Sequence, residues 1–251
     1  MAEAQVIQIT GAAGGFGTAI AERLADAGAA LILSDRNEER LDTLAKRLKA
    51  GGATVFAEAV DVSDDAAMRA HLERGTAALG RLSAAINNAG VAHDLAPLHL
   101  LEPDQFDRVL RVNARGVFIG MRHQIAAMIA TGGGAILNIA SVAGLVGAGT
   151  LGGYAASKHA VVGLTRTAAD EYARHGIRVN ALCPAFAETP MLDRMTAAMD
   201  DTARGKLTAR IPMRRTGTAA EVADAALWLI SPANSFMTGQ AIALDGGLSA
   251  I

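Results

Sequence analysis

The feature that most constrains this chain is a regular exchange between two hydrophobic periods. Short runs rich in aliphatic and β-branched residues recur at VIQIT (6–10), ALILSD (30–35), TVFAEAV (54–60), LSAAIN (82–87), AILNIAS (135–141) and RVNALC (178–183). Between them lie longer segments of helical period, such as 17–27, 37–49 and 64–79. Strands separated by helices pair in parallel, because a parallel neighbour needs a crossover long enough to hold one. The expectation is an α/β chain: a doubly wound parallel sheet of about seven strands with helices on both faces. With 51% hydrophobic and 19% charged residues there is enough apolar side chain for one sizeable core. No repeat, low-complexity tract or long linker divides it, so residues 1–251 read as a single domain. The one irregular stretch is about 185–212, which includes ETPMLDRMTAAMDDTARGKLTARIP; it follows a strand's C-terminal end, a position suited to covering a ligand.

Several function classes are excluded at this level. Net charge is −2, with Lys and Arg scattered among Asp and Glu, so there is no basic stripe to neutralise a nucleic-acid backbone. The first residues, MAEAQ, lead straight into a strand-like run with no basic-then-apolar leader, and no stretch holds 18 uninterrupted apolar residues. A cytoplasmic protein with no membrane partner is expected. Cys183 is the only cysteine, which rules out an intrachain disulfide and a Cys-rich zinc site; no metal is expected.

The first strand runs into TGAAGGFG, Thr10 to Gly17, with a helix starting at once. Glycines at a strand-to-helix turn let the backbone approach a pyrophosphate, and the helix N-terminus offers N–H donors and the positive end of its dipole. Gly11, Gly14, Gly15, Phe16 and Gly17 are therefore candidate cofactor residues, although their spacing is not G-x-G-x-x-G. Asp35 ends the second strand 18 residues past Gly17, close to where a carboxylate would bind a ribose 2′-hydroxyl. It would repel a 2′-phosphate, so NAD is expected over NADP, against the pull of the neighbouring cation Arg36. The plainer reading, that Asp35 only caps the next helix, stays open at this point.

Near residue 154 the chain reads YAASK, placing Tyr154 and Lys158 one helical turn apart on one face. Such a pair is usually a packed ring with a snorkelling amine. Together with the glycine turn, however, it resembles the short-chain dehydrogenase/reductase family, and the likeness runs over nearly the whole chain. The family's T-G-x-x-x-G-x-G falls on Thr10–Gly17, its N-N-A-G on Asn87–Gly90 and its Y-x-x-x-K on Tyr154–Lys158. Its active-site serine falls on Ser141, its asparagine on Asn113 in VNARG, and its Asp-Val pair beside adenine on Asp61 and Val62. The chain departs from the family at Pro184-Ala185, where Gly is usual after Pro. The resemblance implies a Rossmann fold and a nicotinamide site that also uses Asn88, Ala89, Gly90, Pro184, Phe186 and Thr189, together with Tyr154 and Lys158.

A phenol of pKa about 10 is a poor base at neutral pH unless its anion is stabilised, and a lysine charge nearby favours the anion. Tyr154 is thus expected to be the general base in alcohol oxidation and general acid in ketone reduction, with Lys158 tuning it and Ser141 holding the substrate oxygen. By resemblance, Asn113 positions a proton-relaying water. The expected reaction is NAD(H)-dependent interconversion of a secondary alcohol and a ketone of small-molecule size. The rival readings are an NADP(H)-dependent 3-oxoacyl-type ketoreductase, a non-catalytic dinucleotide sensor, an NAD-using dehydratase or epimerase, and a serine hydrolase. Sparse charge near the expected pocket argues for an apolar substrate over one bearing a carboxylate or phosphate. Candidate substrate contacts are His93, Val142 and the methionine-rich row Met191, Leu192, Met195 and Met199. Segments 114–130 and 154–174 carry more apolar surface than one sheet face needs, and the resemblance implies a homotetramer built on them.

Overall fold

In the computed structural model, residues 5–197, 205 and 208–250 are described. Seven parallel strands form one sheet in the order β3-β2-β1-β4-β5-β6-β7. They are β1 (Val6–Thr10), β2 (Ala30–Asp35), β3 (Val55–Ala59), β4 (Leu82–Asn87), β5 (Gly134–Ile139), β6 (Ile177–Pro184) and β7 (Ala241–Leu244). Helices α1 (Gly15–Asp26), α2 (Glu38–Ala50) and α3 (Asp65–Leu79) link the first four strands; α4 (Pro103–Leu110), α5 (Gly116–Thr131) and α6 (Gly152–Tyr172) follow. After β6 come α7 (Pro190–Thr196) and α8 (Ala219–Ile230). Among the described residues no helix is long and apolar enough to cross a membrane.

The sheet is buried on both faces, which is why β1 and β2 are mostly apolar and are buried at almost every position rather than alternately. One face is covered by α1, α2 and α8, through Ile20, Leu24, Leu41, Leu44, Val222 and Leu229. The other is covered by α3, α5 and α6, through Leu72, Val117, Met121, Met128, Val161 and Val162. Local signals start the helices where the sequence places them. Asn37 accepts the Arg40 N–H at 3.0 Å at the head of α2, Asp64 accepts that of Ala67 at 3.0 Å at the head of α3, and Thr218 with Glu221 closes a capping box on α8.

The strand order reverses between β1 and β4, each pairing with a different neighbour on either side, and this leaves a crevice beyond their C-terminal ends. Beneath it the sheet carries a buried chain of amides. Asn87 donates to Gln124 at 3.0 Å and to Asn138 at 2.9 Å, Gln124 donates to Gln8 at 2.9 Å, and Asn138 donates to Thr165 at 2.9 Å. These bonds tie β1, β4 and β5 to α5 and α6 and fix their relative register, so the loops above them start from defined points.

β6 also fixes the last helix. Arg178 donates to the carbonyls of Leu229 (3.1 Å), Ile230 (3.2 Å) and Ser231 (3.1 Å), acceptors left over at the C-terminus of α8, where a cation also meets the negative end of the helix dipole. Arg178→Met leaves those carbonyls without their donor. It is expected to cost about 2–3 kcal/mol in urea unfolding, as for a lost charge-assisted set of hydrogen bonds; a change under about 0.5 kcal/mol would contradict this account of α8.

Candidate active site

The glycine turn folds as its sequence demands. Gly11 has φ +64, and a Cβ there would lie 2.7 Å from Ala89 Cα, so the turn and the Asn88–Gly90 loop touch through backbone. A Cβ on Gly17 would collide with the Gly11 carbonyl. Asn88 completes the corner, donating from its amide to the Gly11 carbonyl at 2.8 Å. The N-terminus of α1 has no side-chain cap and no acidic residue in its first turn, which leaves backbone donors for an anion.

A cleft of about 380 Å³ runs along this turn, lined by Gly11, Gly14, Gly15, Phe16, Asp35, Arg36, Asp61, Val62, Asn88, Ala89, Gly90, Tyr154, Lys158 and Thr189, and also by Arg40 and Arg194. The Asp35 carboxylate accepts N–H bonds from Ala13 (3.0 Å) and Asn37 (2.9 Å), one on each oxygen. It therefore ties the glycine turn to β2 and keeps a lone pair free on each oxygen. Asp61 accepts from the Ser63 N–H at 2.8 Å, which holds its carboxyl below the usual range against the effect of burial; the charges of Arg36 and Arg111 add to the shift. Gly17 aside, every cofactor residue expected before residue 100 lines this cleft, and Gly17 lies beneath it. An uncapped helix end, a carboxylate with free lone pairs and a lysine at a third point fit a dinucleotide.

A second cleft of about 380 Å³ is lined by Ser141, Val142, Pro184, Ala185, Phe186, Met191, Leu192 and Met195, with Leu151, Arg210, Leu248 and Ser249 among its other walls. Phe16, Ala140, Tyr154, Thr189 and Met191 line both clefts, so Tyr154 stands where they meet. Thr189 also caps α7, accepting the Leu192 N–H at 3.3 Å. Ala185 replaces the family's usual Gly without strain: its φ is not in the left-handed region, and its N–H donates to Leu244 at 3.1 Å.

Lys158 is buried, and its ammonium donates to the Ile139 carbonyl at 2.8 Å. Burial brings its pKa down to about 8, partly opposed by Cys183. Nζ sits 5.6 Å from the centre of the Tyr154 ring. The Tyr154 phenol is pushed above its ordinary range by burial, with Ser141 pulling the other way and Cys183 adding to the rise. Among the protein groups alone desolvation therefore dominates, and the other contribution expected to favour the phenolate, the positive ring of oxidised nicotinamide, belongs to the cofactor.

Two expected residues are placed differently. Asn113 lies in a π-helical turn at Arg111–Arg115, fully buried and lining neither cleft. Its Oδ1 accepts the Val91 N–H at 2.8 Å, while Nδ2 donates to the Val91 carbonyl (2.9 Å) and to Ser157 (3.0 Å). The side chain is a clamp on the loop after Gly90, with both amide hydrogens engaged within the protein. His93 is buried, its Nδ1 2.7 Å from the Asp94 carbonyl, and packs by Gly153 and Phe106 outside both clefts. A loop histidine one residue beyond a lining position turns inward here because small Gly153 leaves it room. Met199 lies outside the described residues.

A family model described as enoyl-(acyl carrier protein) reductase matches residues 11–249. Cis-4-hydroxycyclohexanecarboxylate dehydrogenase of Sinomonas cyclohexanicum is 38% identical, over 98% of this chain and 97% of that one. The protein belongs to the short-chain dehydrogenase/reductase family. Cyclohexanol dehydrogenase of Acinetobacter sp. is 36% identical over 96% of this chain and 94% of its own, and the crystal structure of a levodione reductase matches with a TM-score of 0.94 at 38% identity, covering 98% of both chains. Members of the short-chain dehydrogenase/reductase family use a nicotinamide dinucleotide. Among solved relatives, a 3-ketoacyl-(acyl-carrier-protein) reductase from Brucella melitensis was crystallised with NADH (36% identity, 98% and 99% of the chains, TM-score 0.89). A gluconate 5-dehydrogenase from Burkholderia cenocepacia J2315 was crystallised with NADP (38%, 98% and 96%, 0.92).

Sequence reasoning missed Arg40, Arg194, Arg210, Leu248 and Ser249, which line the clefts from helices and from the C-terminal tail. Arg40 could have been found: it lies in the first turn of α2, four residues past Arg36, and is exposed like it.

The buried lysine makes a thermodynamic prediction. Between about pH 8 and 10.5 the unfolded chain binds more protons at Lys158 than the folded one, so stability from this group rises with pH across that window. Below it, both states are charged and the full cost of burial remains. Lys158→Met is therefore expected to be more stable than the parent at pH 7, by up to on the order of 3 kcal/mol, with the gap closing towards about pH 10. Urea unfolding at the two pH values checks this, and a gap independent of pH would contradict it.

Proposed function

We propose that this short-chain dehydrogenase/reductase is an NAD(H)-dependent enzyme that interconverts a secondary alcohol and a ketone on an apolar, ring-sized body. The observation that carries the reading is the position of Tyr154 at the junction of two clefts, one leading to Asp35 and the other walled by Ser141. Its chemistry agrees with the dehydrogenases and reductases among the relatives, and the substrate size agrees with their cyclohexane rings. A second cleft of about 380 Å³ suits a molecule of that size.

The dinucleotide supplies a hydride acceptor and, when oxidised, a positive ring. The residues of this chain do the rest. The glycine turn and the α1 N-terminus receive the pyrophosphate, and Asp35 the adenosine ribose hydroxyls. Lys158 has one donor spent on Ile139 and two left for hydroxyls in the cleft it lines. Ser141 orients the substrate oxygen; the Tyr154 phenolate takes the alcohol proton in oxidation, and the Tyr154 hydroxyl gives its proton to the forming alkoxide in reduction. Asn113 acts as a positioning residue, through Val91.

NAD is favoured over NADP because the Asp35 carboxylate would face a 2′-phosphate. The runner-up, an NADP(H)-dependent ketoreductase, draws support from Arg36 and Arg40 beside that carboxylate. The exposed Phe118 and Ile129 on α5 support assembly into a homotetramer through that helix.

Tyr154→Phe is expected to retain less than about a tenth of the turnover, a loss above about 1.4 kcal/mol of barrier stabilisation, while NADH binding by fluorescence titration stays within about threefold. Residual turnover above that level would remove Tyr154 from its role. Steady-state kcat/KM with NAD should exceed that with NADP by at least about tenfold, and Asp35→Ala should narrow the ratio. A preference for NADP in the parent enzyme would favour the runner-up.

A further inference from the structure

The walls of the second cleft are neutral at every described position except one. Apart from the Tyr154 phenol, Arg210 is the only ionisable side chain lining it among the described residues. Ser141 is buried at the sheet's edge, whereas Arg210 is exposed, so the cleft runs from a reactive floor to a cationic mouth. Between them stand apolar side chains such as Val142, Leu151, Phe186 and Leu192.

The neighbouring arginines have partners. Arg215 makes a two-point bond with Glu221 at 3.0 and 2.6 Å, and Arg214 donates to the Ala209 carbonyl at 2.7 Å. Arg210 makes no ion pair or hydrogen bond among the described residues, so its planar set of five donors is free for a ligand. A guanidinium at the open end of an apolar cleft recognises a planar anion in two-point fashion, and a carboxylate matches that geometry.

We propose that Arg210 anchors a substrate carboxylate, so that the preferred substrates are hydroxy- and oxo-carboxylic acids in which an apolar spacer separates the reacting carbon from the anion. This rests on the reading of Tyr154 and NAD given above, keeps the apolar body, and replaces the expectation of an uncharged substrate with one that carries a carboxylate at its far end. The redox chemistry at the carbinol carbon is unchanged; Arg210 contributes binding and register only. Because it is exposed, water and salt screen the pair, and its effect is a moderate one on KM.

The test compares 4-hydroxycyclohexanecarboxylate with its methyl ester, using NAD and the parent enzyme, Arg210→Ala and Arg210→Lys. The parent should prefer the acid by at least about tenfold in kcat/KM. Arg210→Ala should raise KM for the acid about tenfold with kcat little changed, and should affect the acid far more than the ester. Arg210→Lys should recover part of the loss, and added salt should weaken only the acid. Equal effects on acid and ester, or a parent with no preference for the acid, would overturn the proposal while leaving the Tyr154 reading in place. Calorimetric titration of cyclohexanecarboxylate into the enzyme–NADH complex separates the two cases where neither compound is oxidised. Binding that is lost in Arg210→Ala upholds the anion site and moves the failure to the reaction assigned to Tyr154; no binding to the parent overturns the site itself.

Discussion

The structure of this site depends on keeping one ammonium out of water. Lys158 is buried in the seam between α6 and the end of β5, with its charge resting on the Ile139 carbonyl. The surroundings are shaped for it: a Cβ on Gly144 would lie 2.7 Å from the Lys158 carbonyl, and one on Gly90 would lie 3.5 Å from Nζ. A tight backbone approach at Gly144 and an ordinary contact at Gly90 therefore bring the Ser141 turn and the Asn88–Gly90 loop against the same lysine. Burial of that charge opposes folding, and the same burial brings its pKa down to about 8. The fold tolerates it because the sheet is largely apolar on both faces and its buried amides bond to one another, with Gln8 Nε2 at the end of the chain left without a partner.

From that lysine outward the site divides into two clefts of opposite character. The first cleft is polar and charged at several points, with Asp35, Asp61, Arg36, Arg40 and Arg194 along it. The second cleft is nearly neutral. Tyr154 belongs to both, and its phenol is held neutral by the same desolvation that lowers Lys158. A hydroxyl that stays protonated among protein groups alone, yet stands beside a cleft suited to a positively charged ring, is one whose acidity the cofactor itself can set. Coupling proton acceptance to the presence of oxidised cofactor would restrain the base until a hydride acceptor is in place.

Most of the sheet was legible in the sequence because buried parallel strands are written as continuous apolar runs: 6–10, 30–35 and 82–87 match β1, β2 and β4 residue for residue. β7 was not, since AIAL is four residues long and only partly buried, too short to show a period. The motif residues of the glycine turn, Asp35, Ser141, Tyr154 and Lys158 converge because each sits at or just past the C-terminal end of a strand or on the helix face above it. His93 and Asn113 face the interior rather than a cleft for a common reason. A sequence gives a residue's place along a loop or helix, but whether its side chain faces a cleft or the interior is decided by neighbours such as Gly153 and Val91, which are distant in sequence. Arg210 was hidden likewise, in a segment whose methionines drew attention first.

Burial governs the ionisation of Tyr154 in the protein alone, and bound oxidised cofactor is expected to release it. The chain has only two tyrosines, Tyr154 and Tyr172, and one tryptophan, so phenolate absorbance near 295 nm can be followed as a function of pH with little background. The measurement is that titration with and without NAD, with Tyr154→Phe subtracted. The account predicts a Tyr154 phenol that ionises above the ordinary range near pH 10 in the protein alone and well below it once NAD is bound. An unchanged Tyr154 titration with NAD at saturation would contradict the account.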